Sequence, residues 1–181
     1  MSQTRSIAVL VGSLRKDSFN QQFAHALVKL LPAGCQAEFI RIDDLPLYNQ
    51  DDDASPAPAV TRLRQAIQAA SGVLFVTPEY NRSIPGVLKN AIDHGSRPWG
   101  QSVWTGKPAA LAGVSMGPIG AALAQQHLRN VLAFLNMPTL PGHEMFIQWK
   151  DGLVENGAIG PASRDFAQGF VNDFAAWVGK F

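Results

Sequence analysis

Short, almost wholly apolar segments constrain the fold of this chain more than any other feature. Residues 7–11 and 73–76 contain only Ala, Val, Leu, Ile and Phe, and Gly12 and Pro78 follow closely. Runs of this length are too short for helices and are typical of strands buried on both faces. Residues 109–114 show a similar pattern. Such strands occur in parallel sheets that helices cover on both sides.

Amphipathic helical patterns separate these strands. Apolar residues recur at spacings of three and four over residues 19–31 and 60–70, as expected when one helix face packs against a core. Ser18 and Gln21 match a capping box, which predicts that the first helix begins near Ser18. Residues 121–135 predict a further helix.

Less regular segments complete an alternating order of five strands and five helices. Residues 37–42 alternate loosely as a strand, and residues 139–147 form a short strand region. Residues 84–93 predict a helix with Pro85 in its first turn and Gly95 as its terminator. The last helix has one apolar face, formed by Phe166, Phe170, Phe174, Trp177 and Val178.

This alternation predicts an α/β fold in which right-handed crossovers build a parallel sheet covered on both sides. The length of 181 residues corresponds to one domain over residues 1–181. Ligands of such sheets bind beyond the carboxyl ends of the strands, where the strand order reverses. We therefore expect function in the loops after the first, third and fourth strands.

Composition and charge exclude several classes of function. Fifteen basic and fourteen acidic residues leave a net charge of +1, and no basic stripe could follow a nucleic-acid backbone. Cys35 is the only cysteine, which excludes an internal disulfide and fits a reducing, cytoplasmic setting. We expect neither an export signal nor a membrane-spanning segment. The histidines lack metal-binding spacing, so we expect no metal site: His25, His94, His127 and His143.

The loop after the first strand, residues 12–20, predicts an anion site. It leads into a helix start, where free backbone N–H groups and the positive end of the helix dipole attract negative charge. It also contains neutral and cationic donors, which suit a phosphate monoester: Ser13, Arg15, Ser18 and Asn20. Alternatively, Ser18 only caps the helix and Arg15 is solvated. Because the GxxxxGK[ST] and GxGxxG spacings are absent, the loop favours a mononucleotide.

The other two loops could hold the rest of such a ligand. In residues 77–86, two prolines stiffen the backbone and Tyr80 offers a flat face for a planar ring; the weaker alternative is that Tyr80 only covers the sheet edge. Glu79 and Asn81 could contact ring polar atoms. In residues 113–120, glycines allow close backbone approach, and Ser115 offers a hydroxyl. An ordinary strand-to-helix turn would explain this third loop almost as well.

Taken together, the segments GSLRKDSFN, PEYNRSIPGVLKNAIDHGSRP and GVSMGPIG resemble the NAD(P)H-dependent FMN reductase family. The resemblance spans nearly the whole chain. It implies a flavodoxin-like three-layer sandwich with a five-stranded sheet in the order 2-1-3-4-5. It also implies FMN contacts from the phosphate end to the ring, made by Ser13, Arg15, Ser18, Phe19, Asn20, Pro78, Glu79, Tyr80, Asn81, Ser115 and Gly117.

The resemblance further implies a reaction. Hydride would pass from NAD(P)H to bound FMN and then, in ping-pong fashion, to quinones or other small acceptors such as free flavin, chromate or azo compounds. No catalytic side chain is required because the flavin performs the redox chemistry. Family members usually form dimers or tetramers with flavin near the subunit contact, which implies a homodimer or homotetramer here.

Two other functions use the same fold and cofactor. A flavodoxin-like electron carrier would lack a nicotinamide site, and a flavin-sensing module would lack turnover. The balanced charge argues against the carrier because electron carriers use strong complementary fields to reach their partners. The preference between NADPH and NADH stays open, with Arg82 a candidate for contact with the 2′-phosphate.

Overall fold

The computed structural model, which describes residues 4–181, contains a five-stranded parallel sheet in the strand order 2-1-3-4-5. This is the strand order of flavodoxin-like proteins, so the predicted fold class is confirmed. The strands are β1 (Arg5–Val11), β2 (Cys35–Phe39), β3 (Gly72–Val76), β4 (Ala109–Ser115) and β5 (Met145–Gln148).

Helices cover both faces of the sheet and produce three layers. They are α1 (Phe19–Leu27), α2 (Pro58–Ala69), α3 (Gly86–Gly95), α4 (Ala122–Phe134) and α5 (Pro161–Val178). In β1, Ile7 and Val9 pack in a core with α1 and α5, whereas Ala8 and Leu10 pack in a second core with α2, α3 and α4. Alternate strand residues point to opposite faces, which explains why the strand is apolar throughout.

Two predicted boundaries shift for physical reasons. The strand expected at residues 37–42 is β2, which ends at Phe39; Ile40 and Ile42 are apolar because they pack in the second core after the strand has ended. Pro85 lies at the N-cap of α3 rather than within its first turn. The helix does end at Gly95, where an added Cβ would collide with the indole of the buried Trp104.

The C-terminal third departs furthest from the predicted pattern. Of the region expected at residues 139–147, Thr139 forms only an isolated bridge and β5 begins at Met145. An unpredicted hairpin follows, formed by β6 (Val154–Glu155) and β7 (Ala158–Ile159). Its turn is Asn156-Gly157, both with positive φ, a sequence that favours tight hairpins.

The apolar face of α5 is also narrower than predicted. Phe170, Phe174 and Val178 are buried in the first core. Phe166 is instead 48% exposed, and its ring lies 6.3 Å from that of His143 in an edge-to-face arrangement.

Between residues 4 and 181, no helix is both long and apolar enough to cross a membrane.

Candidate functional site

The loops that follow β1, β3 and β4 leave the sheet side by side. The N–H of Gly12 donates to the carbonyl of Val76 at 2.9 Å, and the N–H of Thr77 donates to that of Ala112 at 2.9 Å. Because these three strands are parallel neighbours, their carboxyl ends lie at one edge. The strands and helices shorten the predicted loops to the first loop (residues 12–18), the second loop (residues 77–85) and the third loop (residues 116–121). Ser115, the last residue of β4, adjoins the third loop and is described with it.

The first loop ends in a capped helix start. Ser18 is the N-cap of α1, and its Oγ accepts a hydrogen bond from the N–H of Gln21 at 3.3 Å. The other half of the predicted capping box does not form, because the Gln21 side chain donates to the Ser13 carbonyl at 3.5 Å. The N–H groups of Phe19 and Asn20 precede the first intrahelical bonds. They therefore present donors at the positive end of α1.

Aromatic rings contact Arg15, a cationic residue of the first loop. The Arg15 guanidinium lies 4.7 Å from the centroid of the Phe19 ring and donates to the carbonyl of Asp17. Phe19 stacks in turn on Trp149, with ring centroids 4.2 Å apart. Our sequence reasoning missed Trp149. Its position directly after β5, at the same edge of the sheet, was the available signal.

Asn20 is buried and engaged with the protein itself. Its amide donates to the carbonyl of Val114 and accepts from the N–H of Val114, both at 2.9 Å. Pairing between β3 and β4 ends at Val76 and Ala112, so Asn20 bonds β4 where its neighbouring strand has stopped. The structure thus gives Asn20 the job of joining α1 to β4, and its contact with a phosphate stays a prediction.

The second loop contains a tight, rigid turn. The N–H groups of Tyr80 and Ser83 donate to each other's carbonyls at 2.9 and 3.0 Å. Asn81 and Arg82, between them, both have positive φ, which corresponds to a type I′ turn. Tyr80 follows Pro78 and Glu79 and is 50% exposed, so part of its ring is free to meet a ligand.

The carboxylate of Glu79 is directed at a helix rather than at open space. Its Oε2 accepts hydrogen bonds from the N–H groups of Leu123 and Ala124, at 3.0 and 3.2 Å, in the first turn of α4. Its Oε1 lies 3.4 Å from a guanidinium nitrogen of Arg82. A ring contact by the Glu79 side chain stays a prediction, since the structure shows this carboxylate engaged elsewhere.

The third loop is held near the end of β5. The Ser115 hydroxyl donates to the Gly117 carbonyl at 3.0 Å, and the Gln148 amide donates to the Met116 carbonyl at 3.1 Å. Gly120 has a φ of +62° and packs directly on the backbone of Phe146, so a side chain would not fit there. Gly117 faces open space, which leaves room for a ligand to approach its backbone.

A cationic cleft of about 370 Å³ adjoins the first loop. Ser13, Arg15 and Lys16 line one side, and Arg41 and Asp43 line the other. The cleft contains no residue of the second or third loop and none of Ser18, Phe19 and Asn20, so it lies beside the start of α1 rather than at it.

The ion pairs at this cleft depress carboxyl pKa values. A hydrogen bond from Arg41 lowers the pKa of Asp43. A hydrogen bond from Arg62 lowers the pKa of the adjacent Asp44 to about 2. Both carboxylates are therefore charged near neutral pH, and their arginine partners offset that charge.

Comparison with known proteins decides the family. Residues 5–151 match the model of the NADPH-dependent FMN reductase family. The chain belongs to this family. The FMN reductase assignment makes the protein an oxidoreductase with FMN as cofactor and NAD(P)H as co-substrate, which confirms those predictions.

Individual relatives agree with this assignment. The chain is 51% identical over 174 residues to a 2-hydroxy-1,4-benzoquinone reductase from a Burkholderia species, covering 95% of each chain. It is 49% identical over 180 residues to a quinone reductase from Pseudomonas putida, covering 98% of this chain and 97% of the relative. The solved structure of FerB, a flavoenzyme NAD(P)H:(acceptor) oxidoreductase from Paracoccus denitrificans, superposes with a TM-score of 0.93 at 44% identity, covering 97% and 98% of the chains.

The chemistry of the three loops fits the cofactor of an FMN reductase. The phosphate end of FMN is a monoester with between about −1.5 and −2 charges near neutral pH. The first loop offers a helix start and the guanidinium of Arg15 for that charge, and Ser13 lines the adjacent cleft. Ser18 is buried and caps α1, so its contact with the phosphate stays a prediction. The half-exposed Tyr80 on its rigid turn offers a flat face for the ring.

Proposed function

We propose that this FMN reductase family member is an NAD(P)H:quinone oxidoreductase. The observation that carries the proposal is the meeting of the three loops at one sheet edge, with an anion-binding helix start on one side and a rigid aromatic turn on the other. The names of the two relatives, each about half identical to this chain, support quinones as the acceptor class. When bound, FMN supplies the chemistry by accepting hydride from NAD(P)H and reducing the acceptor.

In this proposal the chain's own residues bind and orient rather than react. The FMN phosphate and ribityl chain would be held at the start of α1 by Ser13, Arg15, Ser18, Phe19 and Asn20. The ring would lie against the second and third loops, at Pro78, Glu79, Tyr80, Asn81, Ser115 and Gly117. Protein dipoles at the ring would tune the cofactor, and no side chain needs to transfer a proton.

We infer ping-pong kinetics from the openness of the ring-facing loops. Tyr80, Met116 and Ile119 are all exposed, so nicotinamide and acceptor could use the same accessible side in turn. The same openness supports acceptance of free flavin, chromate and azo compounds beside quinones, because little protein surface would select among them.

Anaerobic reduction tests this function. Purified protein reconstituted with FMN is mixed with NADPH or NADH, and flavin absorbance is followed. Rapid bleaching, followed by recovery on addition of 1,4-benzoquinone, is the expected result. An unchanged spectrum would favour an electron carrier or flavin-sensing module. In steady state, parallel double-reciprocal lines for NADPH and quinone are expected, and intersecting lines would contradict the ping-pong scheme.

We also propose a cytoplasmic homodimer or homotetramer with FMN near the subunit contact. Trp99 and Phe134, which are 77% and 75% exposed, line one surface cavity, where an uncovered apolar surface is costly. Sedimentation equilibrium is expected to give two or four chains per particle. A monomer at micromolar concentration would contradict the proposal.

A further inference from the structure

The start of α4 has no cap of its own. Its N-cap residue, Ala121, has a left-handed backbone conformation and a methyl side chain that accepts no hydrogen bond. The N–H groups of Leu123 and Ala124 instead donate to Glu79, 44 and 45 residues earlier in the chain. The side chain of Glu79 is only 11% exposed, so its carboxylate is largely removed from water although Leu123 lies at the surface.

A second contact ties the other end of the same turn to α4. The Ser83 hydroxyl lies 3.0 Å from Nδ1 of His127, one helical turn beyond the residues that Glu79 contacts. The turn at Asn81 and Arg82 therefore has one attachment on each side. Tyr80 lies between these attachments.

We propose that Glu79 is a positioning residue that fixes the second loop, and with it Tyr80, relative to the third loop. The role rests on the proposed flavin-dependent function. The third loop runs directly into α4 through Gly120 and Ala121, so an attachment at the first turn of α4 sets the spacing of both loops. The side chain of Glu79 thus acts on the flavin indirectly, by fixing the backbone of the second loop, its own included, that the ring would meet.

The chemistry of the contact predicts a graded series of variants. A carboxylate is favoured at a helix N-terminus by its hydrogen bonds and by the helix dipole. Glu79→Gln keeps an oxygen that accepts from Leu123 and Ala124 but loses the charge and the attraction to Arg82. Glu79→Ala loses both the acceptor oxygen and the charge. The spacing of the loops should therefore be kept by Glu, partly kept by Gln and lost in Ala.

The test uses the full-length protein reconstituted with FMN. FMN affinity, visible circular dichroism of the bound flavin, and kcat and KM for NADPH and 1,4-benzoquinone are measured for wild type, E79Q and E79A. In E79A we expect the dissociation constant of FMN to rise about tenfold, together with altered flavin dichroism and reduced kcat. E79Q should recover most of both properties.

A matched control separates positioning from general stability. Gln168→Ala removes another long-range bond, from Gln168 on α5 to the carbonyl of Leu30, which follows α1 at the opposite end of the sheet. It should lower the melting temperature while flavin dichroism and kcat per folded molecule stay at wild-type values. Ser83→Ala removes the second attachment and should produce a weaker version of the E79A flavin signature.

The outcomes distinguish the two levels of the proposal. If wild type is reduced by NADPH but E79A has wild-type dichroism and kinetics, the positioning role is wrong. Equal losses in E79Q and E79A would also overturn it, because an acceptor oxygen then would not suffice. If E79A does not fold, wild-type flavin properties in both E79Q and S83A overturn the role. A wild-type protein that binds FMN but is not reduced by NADPH would overturn the proposed function first.

Discussion

The first and second loops lie at one edge of the sheet but are built in opposite ways. In the first loop, the side chains of Arg15 and Ser18 bond only to nearby backbone, at Asp17 and Gln21, and Ser13 lines a cleft. In the second loop, Glu79 and Ser83 are both bonded to α4 and the turn closes on itself. A charged group can be bound by donors that have no partner until the ligand arrives. A planar ring, in contrast, binds best against a backbone that is already fixed in position.

Asn20 offers the largest test of this difference, because it follows the first loop but is itself bonded internally. Asn20→Ala would leave both the N–H and the carbonyl of Val114 without their buried partner. We expect the free energy of unfolding of the apoprotein, measured in urea, to fall by about 2–4 kcal/mol.

Gln21→Ala is the control for Asn20, since the long 3.5 Å contact of Gln21 with Ser13 should contribute little. Unchanged stability of the apoprotein together with a large loss of FMN affinity would mean instead that Asn20 serves the ligand rather than the fold.

Arg15 should show the reverse behaviour. Arg15→Ala is expected to weaken FMN binding by about 1.5–3 kcal/mol, because a charge-assisted hydrogen bond to phosphate is lost. The exposed position predicts a change of only about 0.5 kcal/mol or less in unfolding free energy. Fluorescence titration of FMN measures the first quantity. Lys180→Ala, which removes another exposed cation that lies over an aromatic ring, is the matched control. Equal FMN affinity in the Arg15 variant and wild type would remove Arg15 from the site.

Tyr80 probes the second loop without disturbing its backbone bonds. Tyr80→Ala keeps the N–H and carbonyl that pair with Ser83, so stability should change little. Loss of the ring face should lower kcat by about 2- to 10-fold, the equivalent of one aromatic stacking contact. Tyr80→Phe keeps the face and is the control. A large loss of cooperative folding with normal activity per folded molecule would mean that Tyr80 only covers the sheet edge.

The smallest effect is expected at the ion pair beside the cationic cleft. Because Arg62 lowers the pKa of Asp44 to about 2, the pair stabilises the fold above the ordinary carboxyl pKa and loses this effect as pH falls toward 2. The stability difference between wild type and Asp44→Asn should therefore shrink over that range. Both side chains are partly exposed, so salt should reduce the difference at neutral pH. A difference that persists at pH 2 would contradict this assignment.

Local pattern predicted the centre of the sheet better than its edges. β1, β3 and β4 are continuous apolar runs because both faces are buried, and that burial is visible in the sequence itself. The edge strands β2 and β5 are only partly buried, so their sequences lack a continuous apolar run. Apolar residues next to β2 in the sequence pack in a core although they are not part of the strand.

The hydrogen-bond partners of the polar site residues could not be predicted from the sequence, for a different reason. The motif residues could be chosen from the three loops, but the bonds of Asn20 to Val114 and of Glu79 to α4 join residues 44 or more positions apart. No periodic pattern of residues along the sequence indicates which distant residues form such pairs. The same holds for the stacking of Phe19 on Trp149, where an edge strand brings the second ring into place.

The stack of Phe19 on Trp149 places an indole one ring away from the guanidinium of Arg15. A phosphate that binds at that guanidinium would alter the electric field at the indole of Trp149, which fluoresces in the ultraviolet. The difference in emission between wild type and Trp149→Phe should therefore report the binding of inorganic phosphate at this end of the site, without any added dye.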